Sequence, residues 1–330
     1  MKNILITGGA GYIGRQISNV LNKNLNYKIS VIDNLSTTKI NYLEKKINFQ
    51  KLNILNKKKL EKFFKKNSFD TVIHLAAKCI VSEGEKKKKD YYNTNVLGTK
   101  NILNCCKKYS IKNFIFASSC SIFSNDIRNV KENSATNPIS YYGKTKLICE
   151  KMIKKELGNK IRYVILRYFN VVGSDIKNNV GEFNTKDRIF NNFSQKILLN
   201  KQIEIYGNNY KTNDGTCIRD YIHVNDIAEI HKLLLNIINN LKGKNIINCS
   251  YGRGYSVLEI AKCFLKLKKN KSSIIFKEKR TGDMREILSS NKNLKKILNF
   301  KPKYNELEKM VKSSYEWNKF IIKKKLINKF

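Results

Sequence analysis

Short aliphatic and β-branched runs alternate with longer amphipathic stretches along the first half of the chain. Residues 3–7, 28–32, 70–75, 112–117 and 162–167 carry the apolar runs, which predicts strands. Between them, residues 11–23, 57–66, 90–109 and 141–157 space apolar positions three and four apart, the period of a helix with one buried face. Strand and helix alternating in this way predict an α/β fold, a Rossmann-like doubly wound parallel sheet with helices on both sides. Beyond residue 170 the pattern loosens into longer loops and mixed elements. Two units are therefore expected. Residues 1–170 form the first and residues 171–330 mainly a smaller mixed α/β unit, with a stretch near 220–255 returning to the first.

Composition adds limits. With 41% hydrophobic residues among 330, the chain has enough material for a core, which argues against disorder. No apolar run approaches the ~20 residues that cross a bilayer, so no membrane partner is expected. A strand follows Lys2 at once, leaving no room for a signal peptide, and the expected location is the cytoplasm. The eight cysteines have no regular spacing, and no pair forms a metal-binding CxxC, so they are read as reduced thiols and no metal is expected. The net charge of +39 is the unusual feature. It is the electrostatic signature of a nucleic-acid or anionic-membrane partner. However, Lys57–Lys59, Lys86–Lys89 and Lys323–Lys325 are separate solvated runs, with no stripe of interleaved basic and aromatic residues. Compositional drift is the favoured reading, and a nucleic-acid partner is not expected. An anionic substrate still gains from the positive field.

The first predicted strand runs into Gly8-Gly9-Ala10-Gly11-Tyr12-Ile13-Gly14 and then into a helix. In that setting Gly8 permits a tight turn, Gly11 lets the backbone approach a pyrophosphate, and Gly14 lets helix and strand pack closely. The helix N-terminus offers unpaired N–H groups to the phosphates. Asp33 ends the second strand, placed to accept hydrogen bonds from ribose hydroxyls and to repel a 2′-phosphate. Together they indicate a dinucleotide site, with NAD favoured over NADP.

Tyr142 and Lys146 stand four residues apart at the start of a predicted helix, hence on one face. An ammonium beside a phenol favours the phenolate and suits it to general-base work. The preceding strand ends in Ala117-Ser118-Ser119, at the sheet edge where ligands bind. Ser119 is placed to hold a substrate hydroxyl while Tyr142 takes its proton, with the bound dinucleotide as hydride acceptor. His74 and His223 lack any acid–serine spacing, and packing or hydrogen-bonding roles are assigned to both.

Four segments make a resemblance specific. They are Thr7–Gly14, His74-Leu75-Ala76-Ala77, Leu166-Arg167-Tyr168-Phe169-Asn170, and the run TNDGTCIRDYIHVND from Thr212 to Asp226. On these the chain resembles the extended short-chain dehydrogenase/reductases, and within them the UDP-glucose 4-epimerase family. The resemblance implies an NAD-dependent isomerase of galactose metabolism acting at C4 of a UDP-sugar. By motif position Ser119 and Tyr142 resemble the catalytic pair, and Lys146 the supporting lysine. The cofactor would be held by Gly8, Gly11, Tyr12, Ile13, Gly14, Asp33, Asn34, Asn53, Ile54, Leu75, Ala76, Ala77, Asn95 and Phe169, with Tyr142 and Lys146. The substrate would meet Ser119, Asn170, Tyr206, Arg219, Arg280 and Asp283, the two guanidinium forks suiting its diphosphate. Members are commonly homodimers built on two helices per subunit, here those at 90–109 and 141–157.

Several positions depart from the family pattern. Asn53 replaces an acid near the adenine, Tyr141 a proline and Phe123 a tyrosine. Arg188 stands where asparagine or histidine is usual, and Cys79 near a lysine or serine. A 4,6-dehydratase would need an Asp-Glu pair after the catalytic hydroxyl residue; Cys120 and Ser121 occupy those places. UDP-glucuronate and UDP-N-acetylglucosamine stay open as substrates, Ile287 being of middling bulk where the family gates N-acetylated sugars. A non-catalytic NAD-binding protein also stays open.

Overall fold

The computed structural model describes residues 1–38, 43–124, 127–158, 160–183, 187–241, 245–267, 272–280 and 283–324. The chain begins with β1 (Lys2–Thr7), α1 (Tyr12–Asn22), β2 (Tyr27–Asp33), β3 (Asn48–Lys51), α2 (Lys57–Lys66) and β4 (Thr71–His74). Next come α3 (Val81–Lys86), α4 (Lys88–Tyr91), α5 (Gly98–Lys108), β5 (Asn113–Ser119), β6 (Ile127–Val130), α6 (Tyr141–Leu157) and β7 (Arg162–Tyr168). The remainder supplies β8 (Asn170–Val172), α7 (Ile189–Leu198), β9 (Ile203–Tyr206), β10 (Ile218–His223), α8 (Val224–Ile237), β11 (Asn245–Cys249) and β12 (Gly254–Ser256). It closes with α9 (Val257–Leu265), β13 (Ile274–Lys277), β14 (Glu286–Ser289), α10 (Lys292–Leu298) and α11 (Leu307–Lys323).

Seven parallel strands form the main sheet in the order β11-β7-β5-β4-β1-β2-β3. Successive strand residues point to opposite faces, and both faces are apolar here. Ile4, Ile6, Ile73, Ile115, Val164 and Leu166 pack into one buried cluster. Their immediate neighbours Leu5, Val72, Phe114, Phe116, Tyr163 and Ile165 pack into another on the opposite side. The chain leaves β1 toward β2 on one side and returns through β4 on the other. That reversal opens a crevice at the C-terminal ends of β1 and β4, where open α/β sheets bind ligands. A second, five-stranded sheet runs β12-β10-β14-β6, with β8 also pairing β10, and β13 pairs β9 separately. β11 joins the edge of the main sheet beside β7.

The predicted helix at 90–109 is interrupted. Between α4 and α5, residues Tyr92–Leu97 form a π-helical turn, a widening that often marks functional sites. Asn95 lies within it, almost fully buried. It accepts from Lys78 N at 2.8 Å and donates to Lys78 O and to Thr145 Oγ1, both at 3.0 Å. The wide turn thus ties the loop after β4 to α6. β3 and β6 were not predicted. Each is four residues long, and β3, Asn48-Phe49-Gln50-Lys51, is a polar edge strand without an apolar run.

Candidate active site

The glycine-rich turn is shaped by close approach. Gly8 has φ +71°, and a Cβ there would meet Ala76 N at 2.7 Å, so the turn abuts the loop after β4. A Cβ on Gly14 would lie 2.2 Å from Gly8 O, whereas one on Gly11 would meet nothing nearer than that carbonyl at 3.4 Å. Gly11 therefore leaves open space above the backbone. It also begins α1 without a side-chain cap, and no acidic residue stands in the first turn. The exposed N–H groups and the helix dipole suit an anion.

Asp33 closes the turn from the end of β2. Its carboxylate accepts from Ala10 N at 3.1 Å and Leu35 N at 2.7 Å. Burial lifts its pKa, while the N–H groups of Leu35, Ala10 and Gly11 hold it back. Asn34 and Asn53 are exposed beside it; their side chains accept from Ser36 N at 3.0 Å and Leu55 N at 2.9 Å. Ile54 and Phe169 are buried in apolar clusters. Leu75 N donates to Thr7 O at 3.1 Å and Ala76 N to Thr7 Oγ1 at 3.3 Å, which fastens the Leu75-Ala76-Ala77 turn to the end of β1. The Tyr12 hydroxyl donates to Gly173 O at 2.6 Å, and its ring lines a neighbouring cavity. Ile13, in the first turn of α1, packs against the main core.

Ser119 ends β5, and its side chain accepts from Ser121 N at 3.1 Å, starting a short 3₁₀ turn. Tyr142 stands in the first turn of α6, which Ser140 caps by accepting from Gly143 N at 3.1 Å. Gly143 is a residue the sequence reading passed over. A Cβ there would lie 2.0 Å from Ser121 O, so only glycine lets α6 lie flush on the Ser119 turn. Burial raises the Tyr142 phenol well above its ordinary pKa, the hydrogen bond with Ser119 and the Arg188 charge acting against it. Lys146 is buried one helical turn on. Its Nζ donates to Ala117 O at 2.7 Å, and lies 4.8 Å from the Phe116 ring centre and 6.0 Å from that of Tyr142. Burial pushes its pKa down. Serine, phenol and ammonium thus gather at the C-terminal edge of β5.

Beside them lies a cavity of about 350 Å³ whose wall includes Asn170, Tyr206, Arg219, Arg280 and Asp283. Arg280 forms a two-pronged pair with Asp283, at 2.9 and 3.2 Å, and its guanidinium lies 5.0 Å from the Tyr206 ring centre. Arg219 donates to Ile218 O at 2.9 Å, and Asn170 to Asp220 O at 2.9 Å. The wall also carries Arg188 and Glu182, neither of which had been assigned a site. Ile287 is buried in a cluster with Cys120, Phe123 and Phe169. His74 and His223 make structural hydrogen bonds. His74 sits between Thr7 and Thr99, and His223 bonds Asn225 N and Ser313. Among the described residues, no three His, Cys, Asp or Glu side chains gather as a metal site.

The model for the NAD-dependent epimerase/dehydratase family matches residues 4–250. The UDP-glucose 4-epimerase of Halalkalibacterium halodurans is 32% identical over 322 residues, covering 96% of this chain and 95% of that protein. The crystal structure of UDP-glucose 4-epimerase from Brucella ovis in complex with NAD superposes with TM-score 0.88 at 33% identity, covering 96% and 98% of the two chains. The Bifidobacterium longum UDP-glucose 4-epimerase, solved in complex with NAD+ and UDP, superposes with TM-score 0.88 at 28% identity, covering 97% and 98%.

Proposed function

The chain belongs to the NAD-dependent epimerase/dehydratase family, and from that premise we propose that it is an isomerase that uses NAD to interconvert UDP-galactose and UDP-glucose. The reading rests above all on one juxtaposition. The glycine turn with Asp33, the Ser119–Tyr142–Lys146 group and the arginine-walled cavity adjoin one another at the C-terminal edge of the sheets.

The residues present suit NAD. Gly11 leaves the turn open, α1 offers uncapped N–H groups, and Asp33 brings a carboxylate to the crevice beside them. When bound, NAD supplies a reversible hydride acceptor for C4 of the sugar. The remaining chemistry falls to side chains. Tyr142 takes the proton of the 4-hydroxyl and later returns it, and Ser119 holds that oxygen. Arg219 and Arg280 grip the diphosphate through forked hydrogen bonds, while Asn170 orients it and Asp283 receives the uridine ribose beside Tyr206. Firm charged contacts at one end of the substrate leave the hexose free to turn, so either face of C4 can be presented.

Cytoplasmic residence and a role in galactose metabolism accord with this activity; all eight cysteines are free thiols. A homodimer is the expected assembly. Tyr92 and Leu97, in the π turn before α5, and Ile148, on α6 packed against that turn, each expose about two fifths of their surface, apolar positions open to a second copy.

The test is turnover of UDP-galactose to UDP-glucose by purified protein, without and then with added NAD. Tyr142→Phe is expected to lower kcat by roughly 10²–10⁴-fold. Absence of turnover by a folded, NAD-bound wild-type protein would overturn the assignment.

A further inference from the structure

Glu150 and Arg167 form an ion pair buried from solvent at both partners, and neither has a part in the proposed chemistry. Glu150 stands on α6, one helical turn beyond Lys146 and two beyond Tyr142. Arg167 stands on β7, paired in register with Ser118 of β5. The guanidinium grips the carboxylate with two prongs, Nε donating to Oε1 at 3.0 Å and Nη2 to Oε2 at 2.8 Å. Ser118 Oγ, also buried, donates to the same Oε1 at 2.6 Å. Arg167 Nη1 donates to Glu132 O at 2.8 Å, and the guanidinium carbon lies 5.0 Å from the Phe123 ring centre. One carboxylate therefore joins the helix of Tyr142 and Lys146 to the residue next to Ser119 and to the strand beyond it.

Building on the epimerase reading, we propose that Glu150, clamped by Arg167, is a positioning residue for the Ser119–Tyr142–Lys146 group, locking α6 to β5 in the register their chemistry needs. Stability alone does not account for the pair. Taking two charges out of water offsets most of their attraction, and apolar side chains of similar volume often stabilise a core as well or better. What the pair adds is direction, because a guanidinium fork meets a carboxylate in one plane and one register. That direction falls along the seam between α6 and β5. Three contacts on one face of the helix define the seam: Gly143 against Ser121 O, Lys146 Nζ on Ala117 O, and Glu150 on Ser118 Oγ. Further along α6, Ile153 and Leu157 belong to an apolar cluster with Phe114 and Phe116, which fills space without fixing register. A displacement of about 1 Å at a reacting group costs on the order of 10²-fold in rate.

Removing Glu150 alone would leave a buried guanidinium unpaired and endanger folding. The experiment therefore uses two variants that strand no charge. Ser118→Ala removes one strut, and Glu150→Leu combined with Arg167→Met exchanges the whole pair for apolar volume. Urea midpoints of both should stay near that of wild type. In UDP-galactose turnover, kcat should fall about tenfold in Ser118→Ala and about 10²-fold in the double variant. KM should change by less than about twofold, because Arg219 and Arg280 sit on the cavity wall away from the clamp. A second readout needs no turnover. With β4 and β5 superposed, a crystal structure of the double variant should show Tyr142 and Lys146 displaced by about 0.5 Å or more. Wild-type kcat in a stable double variant, or an α6 that has not moved, would overturn the proposal. If the double variant does not fold, an unchanged kcat in Ser118→Ala would overturn it as well. Lack of wild-type turnover would instead count against the epimerase reading, and the displacement of Tyr142 would still decide the role of Glu150.

Discussion

Lowering the pH from 7 to 5 is expected to weaken the fold, and three histidines set the size of the effect. His74, His223 and His231 are the only histidines, and all are buried. Each is held in a neutral form by its partners. Thr99 gives its proton to Asn95 O, so its oxygen receives the proton of His74 Nε2 and leaves Nδ1 to accept from Thr7. Asn225 N–H occupies Nδ1 of His223. His231 Nδ1 faces Ile227 O, which leaves Nε2 for the Tyr168 hydroxyl. Burial lowers their pKa values to about 3, about 3 and about 4.

The unfolded chain takes up these protons near pH 6.5, while the folded chain resists them to much lower pH. The stability they contribute is complete above 6.5 and is lost as pH falls toward the folded values. Between pH 6.5 and 5 each histidine costs about 2 kcal/mol, or about 6 for the three. Asp220 works the other way. Burial raises its carboxyl to about 7, although Tyr251 N, Ser289 N and Gly252 N oppose the shift. The fold therefore binds a proton that the unfolded chain lacks, which offsets about 2 kcal/mol over the same descent. A net loss of about 4 kcal/mol remains, large against the 5–15 kcal/mol of a typical domain. Trp317, the one tryptophan and fully buried, reports unfolding by fluorescence. The urea midpoint should fall by about 1 M between pH 7 and 5. In His231→Gln, whose amide can serve both Ile227 O and the Tyr168 hydroxyl, the fall should shrink by roughly half. A midpoint that stays level or rises on acidification would refute the reasoning.

Gly143→Ala should cost about 1–3 kcal/mol in urea unfolding, because the new Cβ meets Ser121 O at 2.0 Å. It should also lower kcat more than KM by lifting Tyr142 away from Ser119; wild-type stability and kcat would contradict the close fit. Arg280→Ala removes a forked donor and leaves Asp283 unpaired, so UDP affinity measured by calorimetry should drop roughly 10- to 100-fold. Arg280→Lys should restore only part of it, and full restoration would argue against forked recognition. Asp33→Asn should narrow the preference for NAD over NADP in a fluorescence titration by about tenfold or more. An unchanged ratio would remove Asp33 from the ribose site.

The sheet and its crevice were legible because strands buried on both faces must be apolar, and helices between them must show one apolar stripe. α2 and α6 have the predicted bounds, 57–66 and 141–157. The elements that escaped obey weaker constraints. β3 is an edge strand of four mostly exposed residues, so its sequence carries no hydrophobic period. The π turn at 92–97 follows from the pairing of Asn95 with Lys78 and Thr145, a long-range contact invisible to local pattern. The glycines, Tyr142 and Lys146 were legible as motifs, since their chemistry fixes residue type at fixed spacing. Gly143 stood inside that motif, but the Ser121 carbonyl that demands it is brought near only by folding. Arg188 and Cys79 were each visible as oddities; that they touch was not, because 109 positions separate them.

The run TNDGTCIRDYIHVND, one of the four segments that carry the resemblance, turns out to be largely a joint between sheets. Of its charged residues, only Arg219 lines the cavity. Asp220 points the other way along β10 and accepts from Tyr251 N, Gly252 N and Ser289 N, binding β10 to the turn before β12 and to the end of β14. His223 caps α8, and Asp226 accepts from the Tyr251 hydroxyl and from the backbone of Lys303 and Tyr304. Asp214 receives Thr216 and Ser256. β10 itself pairs with β8, β12 and β14, so it couples the strand bearing Asn170 to the segment bearing Asp283 and Arg280. A grip firm enough to hold a diphosphate while the sugar turns requires its arginines to share one rigid frame. The dense hydrogen bonding around β10 supplies that frame, which explains why a motif so rich in titratable groups contributes one side chain to the cavity's charge and spends the rest on geometry.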